Sequence, residues 1–142
     1  AEMATEICRR LRMSRRESER IAWLVAQHMR PAIAMEMREN KRKRFVREEG
    51  FDELLRLCEL DCAASHGDAS FVTALRAYAA GLPPESLRPA ALLTGRDLLS
   101  LGYKPGPQFR EMLTAVEDGQ LDGTLTTEAE ARAFVAARWP LA

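Results

Sequence analysis

The chain lacks every short signature that enzymes build around a nucleophile, a bound phosphate or a metal pair. It has no Gly-x-Ser-x-Gly, no Gly-x-x-x-x-Gly-Lys, no Cys-x-x-Cys and no Asp-x-Asp for two magnesium ions. Its 142 residues therefore hold no recognisable hydrolase, P-loop or two-metal centre. Cysteine is scarce and odd in number. Cys8, Cys58 and Cys62 read as reduced core thiols of a cytoplasmic protein, not as a disulfide framework. No apolar run approaches a membrane span, and no secretory pattern opens the chain, so no membrane partner is expected. The formal net charge is zero, which excludes a uniform field drawing in a polyanion.

Charge is abundant all the same, and unevenly placed. Residues 1–50 carry 13 Lys and Arg against 8 Asp and Glu, and the remainder carries 8 against 13. A nucleic-acid partner would use the first half or local patches, whereas the alternative is a charged helical surface and nothing more. The most concentrated patch is Lys41, Arg42, Lys43 and Arg44, which either meets RNA phosphates or forms a solvated face.

Periodicity predicts helices throughout. Met3, Ile7, Cys8 and Leu11 form one apolar stripe, and Ile21, Leu24, Val25 and His28 form a second behind a Ser14–Glu17 capping box. Pro31 closes that helix, and Ala32 to Met37 reads as a short helix or a packed loop. Phe51, Leu54, Leu55, Cys58 and Cys62 mark a further helix ending around Ser65 to Gly67. Asp68 is placed to cap the next, with Phe71, Val72, Leu75 and Tyr78 on its inner face and Gly81 as its stop. Three prolines between Leu82 and Pro89 suggest a linker, and Thr127 with Glu130 caps a last helix. No alternating pattern of useful length and no repeat interrupts this. The expectation is an all-α bundle of about seven to nine helices, as one body or two lobes. Its divisions would be a helical body over 1–81, a Pro-rich linker over 82–91 and a small helical tail over 92–142.

The best-punctuated stretch is Leu93 to Gly123. Thr94 and Asp97 are spaced as a capping box, Gly102 as a left-handed stop, and Pro107 as the first-turn residue of a helix striped by Phe109, Met112, Leu113 and Val116. Between the two helices lies a Gly-x-x-Pro-Gly-Pro loop. Backbone N–H groups near Gly106, flanked by Arg96, Lys104 and Arg110, suit an anion such as phosphate; the plain alternative is a tight corner. His28 and Asp61 are predicted on two inward faces. There they could share a metal or a phosphate, or simply tie two helices together. Two ligands do not make a metal site, and His66 falls near a helix end.

The segments Arg12 to Arg30, Lys43 to Asp68 and Leu92 to Gly123 resemble the C-terminal part of bacterial tRNA nucleotidyltransferases, the family of CCA-adding enzymes and poly(A) polymerases. The most specific element is LTGxDLxxLGxxPGPxF, followed by QLxG. The resemblance implies a helical body and tail that hold tRNA for a separate catalytic head. Magnesium and the nucleoside triphosphate would be bound by that head, and the chain itself would need no cofactor. It also implies that the chain, which opens inside a helical pattern without Met, is a fragment able to pair with its head or with a second copy. Some members carry an HD-type phosphohydrolase-like domain, and the helices with His28 and Asp61 resemble its late elements. Without the paired His-Asp step a complete metal site is not expected. The leading expectation is a non-catalytic RNA-binding fragment. Its rivals are a remnant HD-type phosphohydrolase and a structural or dimerisation module.

Overall fold

A computed structural model describes residues 1–65 and 67–141. The fold is an all-α bundle, and no strand forms among the described residues. Its helices are α1 (Glu2–Arg10), α2 (Arg15–Gln27), α3 (Arg30–Ile33), α4 (Glu39–Val46), α5 (Phe51–Ser65), α6 (Ser70–Ala80), α7 (Pro84–Leu87), α8 (Gly95–Ser100), α9 (Pro107–Asp122) and α10 (Glu128–Arg138). A 3-10 turn, Ala34–Glu36, follows α3, so the Met-rich stretch is helical and packed, with Pro31 and Ala34 buried. Pro31 does not end α2. It stands in the first turn of α3, where a missing N–H costs nothing.

The chain divides into two compact units. One comprises residues 1–37 and 45–81, the other residues 38–44 and 82–142. In the first, Phe51, Leu54, Leu55 and Cys58 of α5 and Val72 and Leu75 of α6 are buried, and Phe45 meets Phe51 edge-on at 5.4 Å. The Arg30 guanidinium lies 4.4 Å from the Phe45 ring centre and forks onto Glu48 at 3.0 and 3.1 Å. This unit also departs from the periodic reading. Met3, Ile7 and Leu11 are exposed and only Cys8 of that stripe is buried, while α2 contributes no fully buried side chain.

In the second unit Leu93, Leu98, Tyr103, Met112, Val116, Ala131 and Val135 form one core, with Phe109, Leu113, Phe134 and Trp139 packed on it. Tyr103 keeps its ring inside because its hydroxyl donates to the Trp139 carbonyl at 2.8 Å. The punctuation works as its spacing implies. Asp97 accepts from the Thr94 N–H at 2.7 Å and its hydroxyl at 2.6 Å. Gly102, at φ +94, stops α8 while its N–H bonds Leu99 and that of Tyr103 bonds Leu98. Gly123, at φ +74, ends α9. The QLxG element is structural: the Gln120 amide donates to the Ala90 carbonyl at 2.8 Å, and Leu121 is buried.

Candidate nucleic-acid interface

The 16-residue helix α9 starts at Pro107 with Gly106 as N-cap and no side chain capping it. The positive end of its dipole therefore faces the loop. Gly106 is fully extended (φ 172), a conformation open to any residue, and a Cβ there would meet nothing within 4 Å. The space above it is open. Arg96, Lys104 and Arg110 are all exposed around this start. Two shallow recesses share Thr94, Gly95 and Phe109; Arg96 lines one, and Gly106 with Arg110 lines the other. Lys104 lines neither and stands on the loop beside them. An uncapped helix start with a cationic rim can bind oxyanions without reading sequence.

The run Lys41 to Arg44 is arranged differently. Lys43 donates to the Leu121 carbonyl at the end of α9 (2.7 Å), and Arg44 pairs with Glu117 at 2.6 Å and Asp118 at 2.9 Å. Arg42 pairs with Glu39 at 2.9 Å. All three are half-buried, and only Lys41 of the four is exposed. The N–H of Asn40 donates to Asp122 at 2.7 Å, so the start of α4 is itself tied to the end of α9. Helix periodicity carries no sign of the ties to α9, because those partners lie 73 to 82 residues away.

His28 and Asp61 do come together, but not as an inward pair. Both are exposed, at the rim of a recess of about 220 Å3 walled by Val25, Leu57, Cys58, Cys62 and Phe71. His28 is the residue that ends α2, so its ring has left the apolar stripe. Burial, then the neighbouring Cys62 and Asp61, push the Cys58 thiol above its ordinary range, which keeps it protonated. Among the described residues no three His, Cys, Asp or Glu side chains are grouped to hold a metal, and all three cysteines are free. His66 lies outside the described residues. No charged residue is fully buried among those described.

Fold and site together describe an all-helical module with a cationic rim, in which no three metal-ligating side chains are grouped among the described residues. Sequence comparison then adds a kinship. The chain is 33% identical, over 98% of its length, to an A-adding tRNA nucleotidyltransferase of Deinococcus radiodurans, and 49% identical over 43 residues to an enzyme of the same name from Halalkalibacterium halodurans. It spans about a third of the first relative and a tenth of the second. The chain thus fits a C-terminal fragment of a tRNA nucleotidyltransferase. No protein-family profile and no solved structure matches it.

Proposed function

We propose that this chain holds tRNA while a catalytic head, elsewhere in the same protein, extends the RNA 3′ end. Given the names of the relatives, the added nucleotide is A. Magnesium and the nucleoside triphosphate belong to that head, and the setting is the cytoplasm, where tRNA is processed. The observation that supports the reading is the exposed trio Arg96, Lys104 and Arg110 at the uncapped start of α9, in a chain kin to tRNA enzymes along nearly its whole length. An A-form arm hides its base edges in a deep groove, so a protein gripping it works through shape and phosphate contacts. Lys41 is the one member of the basic run with an exposed side chain, and it joins the proposed contact set. Arg42, Lys43 and Arg44 serve the fold.

Charge reversal at Lys104 and Arg110 tests this. Titration with tRNA at several salt concentrations should show weakened binding and a log–log salt slope shallower by about 2, one counterion term per lost phosphate contact. Unchanged affinity and slope would exclude the loop as a contact. The phosphohydrolase reading needs a metal held by His28, Asp61 and a third ligand, and metal analysis of the purified chain separates it from the tRNA-holding reading.

A further inference from the structure

The recess at His28 and Asp61 is used by nothing above, and its chemistry is specific. It lies within the first compact unit, between the last turn of α2, α5 and the first turn of α6. Val25, Leu57 and Phe71 give it apolar walls, one of them aromatic. At about 220 Å3 it falls below the usual 300–1,000 Å3 of sites that enclose a whole small ligand. It has the room of about seven waters, enough for one flat ring system but not for a sugar and phosphate as well.

Its hydrogen-bonding face is one-sided. His28 Nδ1 stands 2.6 Å from the Val25 carbonyl oxygen. That oxygen can only accept, so Nδ1 carries a proton, and a ring holding that one proton offers Nε2 as an acceptor. The Asp61 carboxyl adds two further oxygens. The Cys58 thiol donates to the His28 carbonyl at 3.3 Å, and the Cys62 thiol to the Asp68 carbonyl at 3.7 Å. Among the described residues, the side chains of the recess therefore present acceptors outward and keep their donors engaged. Such a face repels phosphate. It selects a flat ligand with an apolar surface and an edge of N–H donors.

We propose that this recess takes one unstacked guanine base of the bound RNA. Its N1–H and N2–H2 groups donate to the Asp61 carboxylate, and its ring lies against Phe71. Guanine alone among the four bases carries two parallel donors on its Watson–Crick edge; adenine and cytosine each offer one amino group there, and uracil offers a single N–H between two carbonyls. The choice of RNA as the source of the base rests on the tRNA-holding reading above; the preference for guanine rests on the recess alone.

Amide NMR of the labelled chain, titrated separately with GMP, AMP, CMP and UMP, tests the proposal. GMP should shift the resonances of Val25, His28, Asp61 and Phe71 and bind about tenfold more tightly than the other three. In Asp61→Asn, whose exposed side chain leaves the fold and the remaining spectrum unchanged, that preference should vanish. Phe71→Leu should weaken all four nucleotides while keeping their order. Equal shifts with every nucleotide, or GMP shifts confined to the α9 loop, would overturn the assignment. So would binding of N-acetylarginine amide at the recess without binding of GMP, because the site would then be one for a guanidinium of a protein partner. A tRNA titration on the same sample separates the two readings. Binding of tRNA with no nucleotide response removes the guanine site and keeps the grip. A GMP response without tRNA binding does the reverse.

Discussion

Arg12 shows how a single residue carries a cost that its neighbours make unavoidable. It sits at φ +54, just past the end of α1, where its N–H bonds Arg9 and that of Met13 bonds Cys8. This is the same helix stop that Gly102 and Gly123 make with glycine, but a Cβ in that conformation costs about 1–2 kcal/mol. Part of the gain from removing it is lost because glycine is freer in the unfolded chain. Arg12→Gly should therefore raise stability by about 0.5–1 kcal/mol in urea unfolding. The capping acids give a second prediction at this scale. Glu17 is held below its ordinary range by Ser14, Asp97 by the Thr94 hydroxyl and N–H and then by Arg132, and Glu130 by the N–H and hydroxyl of Thr126 and the N–H of Thr127. Since each carboxyl is more acidic folded than unfolded, its contribution is present above the ordinary carboxylate range and is lost as pH falls through the native value. Thermal melts followed by circular dichroism should hold steady from pH 7 to about 5 and decline below that. The triple variant E17Q/D97N/E130Q should show a shallower acid decline.

The decisive element is α9. Its N-terminal half carries the proposed RNA loop, and its C-terminal end receives the basic run through Leu121, Asp118 and Glu117. Arg44→Ala would leave two acidic side chains without their shared cation and should cost about 1–2 kcal/mol in chemical denaturation. Lys41→Ala should stay within about 0.5 kcal/mol of the parent. The contrast should invert in tRNA titration, where Lys41→Ala lowers the salt slope and Arg44→Ala does not once folding is accounted for. The helix and its cationic flank are legible in the sequence because Pro107, the apolar stripe and the stop at Gly123 are all local signals. The structural use of the basic run is not, because four consecutive cations look the same whether their partner is an RNA phosphate or Asp118.

Across the whole molecule, stability comes from apolar packing in two compact units and not from covalent staples. Cys8, Cys58 and Cys62 are free, with Cys8 and Cys58 buried, so the melting temperature should be the same with and without a reducing agent, and Ellman titration in denaturant should find three thiols. Leu98 and Leu54, both fully buried, should each cost about 2–5 kcal/mol when cut to alanine. Net charge zero, read over the whole chain, hides the opposed signs of its halves. Even that asymmetry overstates the cations available to a polyanion, since Arg30, Arg42, Lys43 and Arg44 are paired with acids or a carbonyl of the same chain.

What the sequence determined by itself is everything set within one helical turn: the all-α class, the capping acids three residues beyond Ser14, Thr94 and Thr127, the glycine stop at 102 and the proline start at 107. These interactions join residues three or four apart, so their spacing is their geometry. Tertiary structure alone decided which stripes are covered and which charges are free. The stripe of Met3, Ile7 and Leu11 has the right period and stays exposed, and His28 turns out to the rim of a recess shared with Asp61. Lys43 and Arg44 find their partners more than seventy residues away. Periodicity says which face is apolar, but only the packing of distant segments says what that face meets.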